Sequence, residues 1–290
     1  MGTSGPTSGS GSQTPLVPSW LGGDDYGALP CGDDSDGQTD ADQAQQGADS
    51  VRPDRPPLPP IAPPERFRGA RTNFSRFASS GGSDGKALRR AVRDYVRSGT
   101  GSSQNAARRM GSSRSAASNA LGVFRGIQRD GLGETLRRLN LEALTGRGVD
   151  DVFIGLTEII CEDGGSIDEA TARHAWLETV ADIDSFDIED LDALTADQIG
   201  EVFLTFIAHS IETRLYQEIG VNGFKFAEDV TDTDTVDRQL RDYISRGVRD
   251  SFNGDFASIS DMTDIQIKDI VERSYIDAWD LLQVWGDQEE

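Results

Sequence analysis

Apolar residues recur three and four positions apart over most of residues 84–286, and this spacing is the strongest constraint on the fold. Between Ile265 and Trp285, for example, Ile267, Val271 and Tyr275 fall on one helical face. No segment shows the alternation of apolar and polar residues that is typical of a half-buried strand. The sequence therefore predicts an all-α fold, with a helical bundle-like body preceded by a long disordered N-terminal tail.

Capping residues mark several of the predicted helix starts. Asp84 precedes the first predicted helix of the body, and Ser166 precedes a helix with acidic residues in its first turn. Thr195 and Gln198 have the spacing of a capping box, so we expect a long helix to begin there. Ser260 or Asp261 is predicted to open the last helix.

The first third of the chain differs in composition from the rest. Residues 24–50 are acidic and nearly free of apolar side chains, and residues 52–64 read RPDRPPLPPIAPP, which favours polyproline II. Such segments cannot bury enough apolar surface to offset the entropy lost on ordering. We therefore predict three parts: a presented N-terminal peptide over 1–23, a disordered acidic and proline-rich linker over 24–83, and an all-helical domain over 84–290.

Composition excludes several classes of protein. The two cysteines, Cys31 and Cys161, make neither a disulfide framework nor a zinc site. No run of about 18 apolar residues is present, and the first residues lack the pattern of a secretory signal. The net charge of −22 disfavours a whole-chain binder of nucleic acid or of anionic membranes. We expect a cytoplasmic protein with no membrane partner.

Positive charge is concentrated in one segment. Residues 65–148 hold 17 Lys and Arg against six acids, whereas residues 149–290 hold nine against 35. The arginine-rich segment 66–147 has two interpretations: it contacts nucleic-acid phosphates, or it pairs with the acidic half of the same chain. The second interpretation is favoured, because the acids that would balance these arginines belong to the same body.

No catalytic constellation is evident in the sequence. His174 and His209 are the only histidines, and neither has the spaced ligands of a metal site, so a structural or surface role is predicted for both. Serines are frequent without a nucleophile elbow, and glycine-rich runs lack the Lys-Ser/Thr of a phosphate-binding loop. We therefore predict a protein that is not an enzyme, with no catalytic residue, no cofactor and no metal.

The first residues carry a distinct pattern of their own. Gly2 is small enough to allow removal of Met1, which would leave the amino group of Gly2 free. An apolar cluster follows from Pro15 to Leu21 and includes Trp20, a residue type that often anchors a docked peptide. An ordinary flexible end is the alternative. The cluster favours a terminus that is presented to a partner.

Two stretches resemble the QatB family, the B component of the bacterial Qat anti-phage defence system. The first is Met1-Gly2-Thr3-Ser4 together with TPLVPSW from Thr14 to Trp20. The second, ICEDGGSIDEATARHAWLET from Ile160 to Thr179, is similar to the helical core of that family. Residues 24–64 carry no such resemblance.

The resemblance implies partners and a chemical role. Qat operons pair the B protein with an ATPase, a QueC-like enzyme and a TatD-like nuclease. QueC enzymes use ATP to activate a carboxylated deazaguanine, and a QueC-like partner would transfer the activated acid to the amine of Gly2 in place of ammonia. The residues implied to contact that partner are Thr3, Ser4, Gly5, Pro15, Leu16, Val17, Pro18, Trp20 and Leu21.

Two alternative functions remain open at the level of the sequence. One is a nucleic-acid-binding adaptor that uses the segment 66–147, although direct contact with nucleic acid is not the favoured interpretation of that segment. The other is a scaffold or adaptor for the ATPase of the system.

Overall fold

The computed structural model describes residues 65–161, 165–220 and 230–288, and of residues 230–232 it describes only the backbone. This part of the chain folds into α-helices joined by short turns and contains no strand, which confirms the all-α class. The predicted presented peptide and most of the predicted linker, residues 1–64, lie outside the described residues. The helices are α1 (Arg68–Ser79), α2 (Gly85–Asp94), α3 (Ser103–Arg108), α4 (Gly111–Asp130), α5 (Leu132–Arg138), α6 (Val149–Gly155), α7 (Thr157–Ile160), α8 (Ile167–Ala181), α9 (Ala196–Ile219), α10 (Val230–Ser251) and α11 (Asp264–Asp287).

Helix α9 lies at the centre of the fold. Its consecutive residues Phe206, Ile207, Ala208, His209 and Ser210 are all buried. Since successive residues of an α-helix point about 100° apart, five buried residues in a row mean that α9 is covered on every side. Helices α8, α10 and α4 provide most of this cover.

Aromatic rings connect α9 to the helices around it. Trp176 of α8 is fully buried, stacks on Phe153 of α6 at a centroid distance of 5.8 Å, and meets Phe206 of α9 edge-on at 6.1 Å. Phe124 of α4 lies 6.0 Å from Phe153 on the other side. Four helices therefore share one aromatic layer, whose rings bury large apolar areas.

Helix α1 corrects the predicted linker boundary. Residues 65–83 were expected to belong to the disordered linker, but Arg68–Ser79 is helical and buries Phe74 and Phe77. The frequent Arg, Gly and Ser residues lower the average hydropathy of this segment, so its apolar face is not evident from composition. Phe67, Phe74 and Phe77 nevertheless recur at helical spacing, so one face of the segment packs on the body.

The capping residues place most helix starts as predicted. The side chains of Asp84 and Ser166 accept hydrogen bonds at the starts of α2 and α8, and Thr195 forms its capping box with Gln198. The predicted start of the last helix at Ser260 or Asp261 was wrong. A further capping box, in which Thr263 pairs with Gln266, begins α11, while Ile259–Asp261 forms a short 3₁₀ turn before it.

A stack of three aromatic rings joins the beginning of the described chain to its end. Phe67 stacks on Tyr95 at 5.3 Å, and Tyr95 stacks on Trp279 of α11 at 5.2 Å. Tyr95 begins a π-helical extension of α2, Tyr95–Thr100, in which Gly99 lies directly against the Phe67 ring. A Cβ atom at position 99 would overlap Cδ1 and Cε1 of that ring. Glycine is therefore required here by packing.

We predict that Gly99→Ala destabilises the protein by about 1–3 kcal/mol, because the added methyl group displaces Phe67 from the stack. Gly122→Ala is the matched control, since no atom lies within 4 Å of a Cβ at that helical position. That control should be stabilising by up to about 1 kcal/mol, the usual advantage of alanine over glycine in a helix. Urea unfolding of both variants measures the difference. Equal stabilities for the two variants would contradict the assigned position of Phe67.

Candidate functional site

The site residues predicted from the sequence lie outside the described part of the chain. They are Gly2 as the modified residue, and Thr3, Ser4, Gly5, Pro15, Leu16, Val17, Pro18, Trp20 and Leu21 as partner contacts. The described residues begin at Glu65. The feature closest in sequence to the predicted site is therefore the contact that the segment after Glu65 makes with the helical body.

That attachment is made by Phe67 and the arginines around it. The guanidinium carbons of Arg66, Arg71 and Arg109 lie 4.7, 5.9 and 5.8 Å from the centroid of the Phe67 ring. Cations within about 6 Å of an aromatic face are attracted by its quadrupole. The ring is buried, so its stack on Tyr95 and these cations together fix the start of α1 on the body.

A group of charges centred on Glu218, here called the Glu218 cluster, lies beside this attachment. Arg109 donates a hydrogen bond to the Glu218 carboxylate, and Arg71 Nε donates to the Glu218 carbonyl oxygen at 3.0 Å. Arg214 completes the cluster: its Nη1 lies 3.5 Å from Glu218 Oε1, and its Nη2 lies 2.7 Å from Asp168 Oδ1. The side chain of Arg214 is only 6% exposed and that of Glu218 only 12%.

The Glu218 cluster also acts on the aromatic stack. Burial first, and the negative charge of Glu218 second, raise the pKa of Tyr95. The phenol of Tyr95 is therefore neutral at physiological pH and serves as a packing ring between Phe67 and Trp279.

The pairing of the arginine-rich segment with the acidic half of the chain is confirmed for several of its members. They reach helices α9 and α11 across long sequence separations. The pairs are Arg93 and Arg97 with Asp287, Arg109 with Glu218, Arg114 with Glu272, and Arg125 with Asp264.

Other arginines of the segment pair with acids close by in sequence. Arg129 and Arg138 contact Asp130, and Arg137 contacts Glu134. Much of the positive charge of segment 66–147 is therefore engaged within the fold, which leaves less of it for phosphates than the sequence alone suggests.

The two histidines line one cleft of about 300 Å³ between α8, α9 and α10. His174 is exposed, whereas His209 is buried, with Nε2 2.9 Å from Asp182 Oδ2 and Nδ1 3.6 Å from Glu212 Oε2. Arg241 lies 3.3 Å from the same Glu212 carboxylate. His209 thus has a structural role in a chain of charges. In the described ranges, no group of three or more His, Cys, Asp or Glu is arranged to hold a metal ion.

Opposing effects set the charge of His209. Burial acts to lower its pKa, but hydrogen bonds to Glu212 and Asp182 and the charges of these two acids act in the other direction. The pKa of His209 is raised as a result. The two carboxylates therefore favour the charged form of the ring.

Another cleft, of about 450 Å³, lies between α4, α5 and α11. Gly122 leaves open space on its α4 side, whereas Gly126 allows Thr135 of α5 to approach. This cleft was not predicted from the sequence, although two glycines within a helical pattern, as at Gly122 and Gly126, can mark close packing or open space. Its other lining residues are mixed: Ser118, Asn119, Val123, Arg125, Arg129, Arg138, Leu139, Ile159, Asp264, Ile267 and Lys268.

The fold and its ionic contacts define an acidic, all-helical protein whose basic segment is tied to its acidic half. The model of the QatB family, described as Qat anti-phage system associated protein QatB, matches residues 101–282. The chain therefore belongs to the QatB family and is a component of an anti-phage defence system. No curated protein and no solved structure matches the chain.

No helix of the described residues combines the length and the apolarity that crossing a membrane demands. The matched range includes the cleft between α4, α5 and α11 and most of the Glu218 cluster, while α1, α2 and Phe67 precede it.

We predict that Glu218→Gln destabilises the protein by about 2–3 kcal/mol, because it leaves Arg109 and Arg214 without their shared carboxylate in a largely buried position. The matched control is Glu201→Gln, which breaks the exposed pair with Arg249. That control should change the free energy of unfolding by less than about 1 kcal/mol. Chemical denaturation measures both variants, and a loss no larger for Glu218→Gln than for Glu201→Gln would contradict the central position of Glu218.

We predict that the stability contributed by His209 decreases as the pH rises. Its folded-state pKa lies above the unfolded value of about 6.5, so the contribution is fully present below that pH and is lost as the pH rises through the folded-state pKa. The difference in unfolding free energy between the wild type and His209→Gln should therefore be larger at about pH 6 than at about pH 9.

His174→Gln removes the exposed histidine of the same cleft and serves as the control. Denaturant unfolding at a series of pH values gives the comparison. A His209→Gln difference that stays constant or grows with pH would show that the charged ring does not stabilise the fold.

Proposed function

We propose that the protein is a non-enzymatic component of the defence system and that its N-terminus is a conjugation substrate. After removal of Met1, the amine of Gly2 is the acceptor of a 7-deazaguanine transferred by a QueC-like partner. The observation that carries the proposal is membership in the QatB family, combined with the QatB-like start of the chain at Met1-Gly2-Thr3-Ser4.

The chemistry of an α-amino group supports this role. The partner uses ATP to activate the carboxyl group of the deazaguanine. The neutral amine attacks the activated carbonyl carbon, an amide C–N bond forms, the bond to the activating group breaks, and the amine loses a proton. An α-amino pKa of about 7.7–8.0 leaves a useful fraction of the amine neutral at physiological pH. Glycine adds no side chain that would hinder entry into an enclosed site.

The following residues supply recognition. Pro15, Leu16, Val17, Pro18, Trp20 and Leu21 dock on the surface of the partner, and Thr3, Ser4 and Gly5 lead Gly2 towards the reacting carboxyl group. An apolar cluster with one Trp suits such a contact, because aromatic anchors contribute a large share of the energy at protein interfaces.

The helical body supports the proposal as the part that carries this terminus. Phe67 is buried against Tyr95 and is surrounded by Arg66, Arg71 and Arg109, so the chain is firmly attached where the described residues begin. The start of α1 is therefore anchored to the helices of the body.

A scaffold for the ATPase of the system is the second candidate. The cleft between α4, α5 and α11 favours it, since all residues that line this cleft fall within the family-matched range 101–282. Direct binding of nucleic acid is less well supported, because arginines of segment 66–147 are engaged by Asp264, Glu272 and Asp287.

The test of the conjugation is the intact mass of the protein after co-expression with the QueC-like partner and a supply of the deazaguanine precursor. We expect loss of Met1 and a gain of one deazaguanine acyl group, located on Gly2 by fragmentation of the N-terminal peptide. Gly2→Leu should retain Met1 and stay unmodified, because a large second residue prevents removal of the initiator.

The matched control is Gly9→Leu, which makes the same substitution outside the proposed contacts and should be modified like the wild type. An unmodified Gly2 in the presence of active partner and precursor would overturn the proposal. A deazaguanine found on a lysine side chain would overturn it equally.

A further inference from the structure

A second cleft, of about 330 Å³, lies where α2, α10 and the end of α11 meet, and the proposed conjugation does not involve it. Its lining residues are Arg89, Tyr243, Arg246, Trp285 and Gln288. The volume is at the lower end of the range of about 300–1,000 Å³ that is typical of small-molecule sites.

An aromatic wall is fixed on one side of this cleft. Trp285 is only partly buried, whereas Trp176 and Trp279 are completely enclosed. Trp285 lies 5.6 Å from Tyr243, whose hydroxyl donates a hydrogen bond of 3.0 Å to the carbonyl oxygen of Leu282. The absence of a side chain at Gly247 allows α11 to pack closely at this point. The indole therefore has a defined orientation and a ring face available to a ligand.

The described lining of this cleft is positively charged. Residues 149–290 carry 35 acids against nine basic residues, yet no acidic residue is among the described residues that line this cleft. Arg246 is exposed and makes no ion pair or hydrogen bond within the described part of the chain. Its guanidinium is therefore available to an anion, which it can bind through two parallel N–H donors.

Arg89 adds a second positive charge near the rings. Burial raises the pKa of Tyr243, and the charge of Arg89 acts in the opposite direction, which places that guanidinium close to the phenol. Arg89 has a partner of its own, so its contribution to this cleft is through its charge. An aromatic ring and two guanidinium groups in one cleft suit a planar ligand that carries an anionic group.

We propose that this cleft binds a nucleoside monophosphate. The base stacks on Trp285, and the phosphate is held by Arg246 with the charge of Arg89 behind it. The cleft has room for one nucleotide, and its contacts require both the planar base and the phosphate.

The experiment is calorimetric titration of the full chain with AMP and GMP, accompanied by tryptophan fluorescence. We expect saturable binding and a change in the emission of Trp285 that is missing in Trp285→Phe. Because Trp20, Trp176 and Trp279 are present in both proteins, their difference isolates the signal of Trp285. Adenosine and inorganic phosphate should each bind more weakly than AMP, since each lacks one of the two contacts.

Arg246→Gln should weaken binding of AMP by at least about tenfold, as expected when a hydrogen bond to a charged group is lost. Its side chain is exposed, so this variant should fold normally. Arg238→Gln, at an exposed position two turns earlier on α10, is the matched control and should bind like the wild type.

Absence of saturable binding would overturn the proposal. Equal affinity in the wild type, Trp285→Phe and Arg246→Gln would also overturn it, because the ligand would then lie elsewhere. Binding of oligonucleotides without binding of AMP or GMP would contradict it as well and would point to nucleic acid as the ligand.

Discussion

The carboxylate of Glu218 is the interaction on which the arrangement of the described residues depends. It lies near the end of the central helix α9 and is contacted by Arg109, which follows α3, and by Arg214 of α9 itself. A buried charge is costly unless ionic partners and hydrogen bonds compensate it. Arg109 thereby connects the end of α3 to α9, and Arg71 of α1 donates separately to the backbone carbonyl oxygen of Glu218. The Phe67–Tyr95–Trp279 stack connects this region to α11.

Much of the fold could be predicted from the sequence, because periodicity and capping are local properties. The capping box of Thr195 and the long helix after it were predicted from such patterns, and the charge distribution along the chain predicted the pairing of basic with acidic segments. Helix α1 was not predicted, although Phe67, Phe74 and Phe77 recur at helical spacing, because the composition of the segment is that of a linker and the partners of these rings are distant in sequence. Average hydropathy over the segment does not reveal three rings on one face.

The candidate sites also differ in how far they could be predicted from the sequence. The N-terminal residues from Gly2 to Leu21 could be selected from the sequence, because they form one contiguous stretch with a resemblance to a family. The cleft of Arg89, Arg246 and Trp285 could not, since α2 lies far in sequence from α10 and α11 and only the packing of these helices brings their side chains together. Sequence patterns thus identify linear recognition segments well and composite clefts poorly.

The helical body belongs to the QatB family. It is joined to the N-terminal segment in which we propose that the conjugation takes place. The most direct measurement is phage protection in cells that carry the complete Qat system with residues 2–23 of this chain deleted. The account predicts that protection is lost while the purified variant keeps the helical circular dichroism spectrum and the unfolding transition of the wild type. Full protection by this folded variant would contradict the account and would favour a scaffold that acts through the helical body alone.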